Sequence, residues 1–78
     1  MVVAGVLIKT EPGKTKAVLR ALRKEKGIKY AYAVFGRYDI IATITEAKSL
    51  DDVAKIIAEK VGSLEGVRNT ETLIVANI

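Results

Sequence analysis

Seventy-eight residues with a net charge of +4 and neither cysteine nor histidine make one small domain that cannot be stapled by disulfides or by the common zinc geometries. A domain of this size buries only about 60% of its unfolded surface, so association with further copies is the remaining source of stability. No apolar run approaches the roughly 18 residues of a membrane span and Met1 opens no signal-peptide pattern, which predicts a cytoplasmic protein with no membrane partner.

Val2 to Thr10, VVAGVLIKT, is a β-branched run too short for a helix and closed by the turn-forming Glu11-Pro12-Gly13; it is predicted as the first strand. Lys14 to Lys26 sets Val18, Leu19 and Leu22 at helical spacing, with cations filling the other positions up to Gly27, and predicts the first helix. Lys14, Lys16, Arg20, Arg23, Lys24, Lys26 and Lys29 face only Glu25 in this stretch. A solvated helix face is the ordinary meaning of such a run, and a nucleic-acid surface is the other. Ile28 to Phe35 alternates Ile28, Tyr30, Tyr32 and Val34 against Lys29, Ala31, Ala33 and Phe35. Gly36 interrupts before a further apolar run from Asp39 to Thr45, and the two runs are predicted as a hairpin. Ser49 then precedes Leu50, Val53, Ile57 and Val61, with Asp52 three residues after it, the pattern of a capped second helix that Gly62 closes. Leu64 to Val67 reads as a tight connection, and Thr70 to Ile78 as the last strand.

The order β-α-β-β-α-β with right-handed crossovers predicts a single α+β domain over residues 1–78, ferredoxin-like, with both helices on one face of a four-stranded antiparallel sheet. Such a sheet should alternate apolar and polar residues. Here Val2, Ala4, Val6 and Ile8 are set against Val3, Gly5 and Leu7, and Leu73 and Val75 against Ile74, Ala76 and Ile78, so both faces of the first and last strands are apolar. The helices can cover one face only, and a sheet-to-sheet dimer would bury the other.

Without histidine or cysteine, acid–base or nucleophilic work would fall to carboxylates, lysines, tyrosines, Ser49 and Ser63, which form no recognisable constellation. No enzyme, metal or cofactor is therefore expected; Glu46, Asp51 and Asp52 near the second helix suit its dipole, and no glycine-rich phosphate signature occurs. The segment Phe35-Gly36-Arg37-Tyr38-Asp39 is the most informative one. A turn at Gly36 can present backbone amides to a carboxylate while Asp39 receives an ammonium, the complement of a zwitterion. Equally, Gly36 can simply turn the hairpin while Asp39 bonds its own backbone.

Phe35-Gly36-Arg37-Tyr38-Asp39-Ile40-Ile41 resembles the G-x-[Tyr/Phe]-Asp hairpin of the effector domain of Lrp/AsnC (feast/famine) regulators. Leu64-Glu65-Gly66-Val67-Arg68-Asn69-Thr70-Glu71-Thr72 is similar to that domain's P-G-V-x-x-T-x-T segment, with Glu65 where proline is usual. The resemblance spans nearly the whole chain. It implies a sensor whose sheets pair face to face into dimers and whose dimers close into rings, often octamers, with an amino-acid effector between dimers. The implied ligand-binding residues are Gly36, Arg37, Tyr38 and Asp39, joined by Leu73, Ile74 and, less strongly, Thr72 of a neighbouring subunit. With Leu73, Ile74 and Ile40 nearby, a small apolar amino acid is the expected effector. Full-length members carry a helix-turn-helix in front, whereas here the first strand begins by Val2, so sequence-specific DNA binding is not carried over. The output would pass through a DNA-binding relative or an enzyme. The rival readings are a nucleic-acid binder working through the basic first helix, and a small dimeric ferredoxin-like enzyme. The latter would want His and Trp, or an arginine after the first strand where Glu11-Pro12-Gly13-Lys14 stands.

Overall fold

The computed structural model describes residues 2–76. The elements are β1 (Val2–Thr10), α1 (Thr15–Lys24), β2 (Ile28–Ala33), β3 (Ile40–Ala47), α2 (Leu50–Ile56) and β4 (Val67–Ile74). The sheet order is β2-β3-β1-β4 with every neighbouring pair antiparallel. This is the ferredoxin-like arrangement predicted from the element order, with β1 and β3 in the middle.

Alternation along the central strands builds the core. Ala4, Val6 and Ile8 of β1 and Ile40, Ala42 and Ile44 of β3 point to one side, where Val18 and Leu22 of α1 and Val53 and Val61 of the second helical segment close over them. Ile8, Leu22, Ile40 and Ile44 are fully buried, and each contributes about 1.5–3 kcal/mol by leaving water. The second helix starts as expected: Ser49 Oγ accepts from Asp52 N–H at 3.2 Å, and Asp52 Oδ2 accepts from Lys48 N–H at 2.9 Å. The helix does not stay α-helical to its end. Ile57–Val61 form a π-helical turn, closed by Gly62 N–H donating to Ile57 O at 2.7 Å.

The other side of the sheet carries Leu7, half-buried, with Val3, Ile41, Tyr30, Tyr32 and Leu73, all exposed, and no helix of the described residues covers it. The two-sided apolar pattern of β1 is therefore a real feature of the chain.

The structure departs from the sequence reading in four places. The first helix is shorter than Lys14 to Lys26, starting one residue later and ending at Lys24. The second strand stops at Ala33, and it does not alternate as written: Ile28 pairs with Ile44 but Tyr30 pairs with Thr43, so an extra residue is bulged out at Lys29. A bulge reverses the facing of all that follows. Ile28 and Ala31 consequently point into the core, while Tyr30 and Tyr32 turn to the open face and stack at 6.4 Å. The third strand begins at Ile40 and runs on to Ala47. The last strand begins at Val67 rather than Thr70 and ends at Ile74, although Val75 N–H still donates to Val3 O at 3.0 Å; Ile78 lies outside the described residues.

Candidate functional site

The hairpin between β2 and β3 is closed by Val34 N–H donating to Asp39 O at 2.9 Å. Its turn passes through Gly36 at φ +139°, a backbone region that side-chain-bearing residues avoid. Phe35 at the tip is fully exposed. Asp39 N–H donates to Ile8 O at 2.9 Å, which docks the base of the hairpin against β1.

The Asp39 carboxylate does not bond its own backbone. Its Oδ2 accepts from Thr10 N–H at 2.9 Å and from Thr10 Oγ1 at 3.1 Å, and lies 3.8 Å from Lys9 Nζ. These contacts all fall on Oδ2. Thr10 Oγ1 also shares a 2.7 Å hydrogen bond with Thr15 Oγ1 at the start of α1. The Thr10 N–H holds the Asp39 carboxyl below its ordinary range against partial desolvation, with the Thr10 hydroxyl and Lys9 adding in the same direction. Tyr38 donates its hydroxyl to Glu71 Oε1 at 2.8 Å. That bond, with some desolvation and the charge of Glu71, raises the tyrosine's pKa, and Arg37 opposes the rise.

Two clefts open at this end of the sheet. One, of about 370 Å³, is lined by Lys9, Arg37, Tyr38, Arg68 and Asn69. The other, of about 270 Å³, contains Asp39 with Thr10, Thr15, Lys9 and Arg68 on its wall. Lys9 and Arg68 belong to both. Arg68 stands there because β1 and β4 slip out of register: Lys9 pairs with Asn69 but Thr10 pairs with Val67, which leaves Arg68 as an extra, bulged residue. Bulges commonly re-aim a side chain in this way.

Of the residues expected at the site, Arg37 and Tyr38 line the first cleft and Asp39 the second, with Gly36 exposed in the turn that joins them. The last-strand residues are not brought to the hairpin within one chain. Thr72 pairs with Val6, Leu73 with Gly5 and Ile74 with Ala4, progressively farther along β4 from the Tyr38–Glu71 contact. Ile40, expected beside an apolar ligand, is fully buried in the core and cannot touch one. Lys9, Thr10, Arg68, Asn69 and Glu71 were not singled out from the sequence. Lys9 and Asn69 are sixty positions apart in the chain, and only the β1–β4 register makes them neighbours.

A ferredoxin-like domain whose donors and cations gather around open clefts at one end of its sheet is a binding module. The chain belongs to the Lrp/AsnC family: the family model of the Lrp/AsnC ligand binding domain matches residues 3–78. The HTH-type transcriptional regulator PH0140 of Pyrococcus horikoshii is 31% identical over 77 residues, covering 99% of this chain and 48% of the regulator. The chain thus spans about half the length of the curated relatives it matches. Among solved structures, FFRP-DM1 superposes with a TM-score of 0.89 at 34% identity, covering 97% of this chain and 100% of that one. TTHA0845 from Thermus thermophilus does so with 0.91 at 29% identity, covering 100% and 96%. Membership makes this an effector-binding, regulatory domain and not an enzyme.

Proposed function

We propose that the chain is an amino-acid sensor that works as an assembly of copies. The carrying observation is the Gly36–Asp39 hairpin, where a carboxylate with one occupied oxygen lies next to a cluster of cations. The effector's carboxylate is received by Arg37 and the amides of the Gly36 turn, and its ammonium by Asp39 Oδ1. Thr72, Leu73 and Ile74 of a neighbouring subunit wall the site, and Tyr38 braces it through Glu71.

Assembly follows from the open sheet face. Val3, Leu7, Ile41, Tyr30, Tyr32 and Leu73 form an apolar surface that soluble monomers rarely expose, and a second copy of the same face covers it by two-fold symmetry. Dimers then close into a ring of the octameric kind. An effector bound between dimers stabilises the assembly that contains the completed site, by mass action. The output passes to a DNA-binding relative through mixed assembly, in the cytoplasm. Among the described residues no helix is long and apolar enough to cross a membrane.

Calorimetric titration of the wild type and Asp39→Asn with each amino acid tests the site. Asparagine can still accept from Thr10 through its amide oxygen, so the fold is kept. It lacks the charge that holds an ammonium, and affinity should fall roughly tenfold to a hundredfold. Equal affinity in the two proteins removes Asp39 from the site. Failure of every amino acid to bind, or to raise the melting temperature, removes the sensor reading.

A further inference from the structure

We infer that the effector this chain selects carries a second acid group: an acidic amino acid whose side-chain carboxylate is received by Arg68 and Lys9 in the cleft beside Arg37. The inference rests on the reading of the hairpin as an amino-acid site and adds the ligand's side-chain chemistry.

The first observation is charge. The cleft of about 370 Å³ has Lys9, Arg37 and Arg68 on its wall together with Tyr38 and Asn69, and no carboxylate lines it. Among the described residues neither arginine is in an ion pair, while Lys9 is 3.8 Å from Asp39. Glu71, which meets the cleft through Tyr38, already accepts the tyrosine hydroxyl. Like charges gathered in one cleft repel one another, so the site is stabilised by whatever anion enters it.

The second observation is how these cations are held. Lys9 stands on β1 opposite Asn69, and Arg68 is the bulged residue that the β1–β4 slip turns out of the ladder. Both are therefore placed by strands, while Arg37 is placed by the hairpin. Groups carried on strands hold a ligand more strictly than groups on loops. An arginine also presents a planar fork that matches a carboxylate with two hydrogen bonds.

Counting charges then distinguishes the ligands. An amino acid with an uncharged side chain brings one carboxylate, which Arg37 takes, and one ammonium, which Asp39 takes. Within the larger cleft Arg68 is left beside Lys9 without an anion, the carboxylates of Asp39 and Glu11 lining the smaller cleft that it also borders. A second carboxylate supplies it, whereas a cationic side chain would be repelled and an apolar one would meet cations and the Asn69 amide. Ile40, the residue that would have favoured an apolar ligand, is sealed in the core.

Titration calorimetry at about 0.15 M salt, where distant surface charges are screened, compares L-glutamate and L-aspartate with L-glutamine, L-asparagine, L-leucine and glutarate. One acidic amino acid should bind roughly tenfold or more tightly than its own amide, and Arg68→Gln should bring acid and amide to the same affinity. Tighter binding of an amide or of leucine by the wild type overturns the inference and leaves the sensor reading standing. Glutarate binding as tightly as glutamate overturns it too, because the cleft would then take any dicarboxylate without using an ammonium. Binding by none of the six overturns the inference, and the sensor reading falls with it only if every other amino acid also fails to bind.

Discussion

Lysine substitutions at Val6 and Leu7, neighbours in β1 on opposite faces of the sheet, should have opposite consequences. Val6 is fully buried, paired with Ala42 on one side and Thr72 on the other. Val6→Lys removes about 1.5–3 kcal/mol of burial and forces an ammonium into the core at an effective several kcal/mol. At about 0.05–0.15 kcal/mol per residue, a chain of this length has roughly 4–12 kcal/mol of stability in all, so this variant should be unfolded. Leu7 is half-buried on the open face between Ile41 and Glu71. A lysine there reaches water in a single chain, with its stem along the apolar surface, and should cost the fold less than about 1 kcal/mol. In a face-to-face dimer the same charge is buried twice over, once from each copy, and association should weaken by at least about a hundredfold. Circular dichroism and light scattering at micromolar concentration read both effects. Leu7→Lys scattering at the wild-type mass would refute the open face as the interface. A cooperative melt of Val6→Lys near the wild-type temperature would refute the account of the core.

Four further outcomes are expected. Gly66→Ala sets a methyl 2.8 Å from Lys14 Cβ and 3.0 Å from Val18 Cγ2 at φ +97°, whereas Gly13→Ala at φ +79° meets open space. The first should lose roughly 2–5 kcal/mol from strain plus overpacking and the second about 1–2 kcal/mol from strain alone; equal losses in thermal melts would show that the loop simply moves aside. The lowered pKa of Asp39 means that its contribution is present above the ordinary aspartate range and is lost as pH falls through the folded value. Asp39→Asn should therefore flatten the acid limb of a melting-temperature profile, and an unchanged limb would show that the Thr10 contacts carry no charge-dependent stability. The raised pKa of Tyr38 has the reverse sign, with stability full below the ordinary tyrosine range and lost as pH rises through the folded value, a dependence that Tyr38→Phe should abolish. Duplex DNA should bind this 78-residue chain only through its cations, with affinity falling by orders of magnitude between about 50 and 200 mM salt, and a footprint at one defined sequence at the higher salt would contradict that.

The sequence alone determined the elements, because the signals that set them are local. Apolar periodicity marked the strands and helices to within a few residues, the Ser49–Asp52 spacing specified a cap that forms as expected, and Gly36 marked a turn whose φ of +139° demands glycine. The two-sided apolar pattern of β1 was likewise legible, since alternation along one strand needs no partner to be read. What the tertiary structure decided is how strands slide against one another. The bulge at Lys29 reversed the facing of Tyr30 and Tyr32, and the slip at Thr10 and Val67 turned Arg68 into the clefts beside Lys9 and Asp39. An extra residue in one strand is favoured or disfavoured by its pairing with another strand, so no window of sequence around it carries the signal. The partner of Asp39 was hidden for the same reason: Thr10 lies 29 positions away, and only the packing of the hairpin base against the end of β1 brings its amide and hydroxyl to the carboxylate.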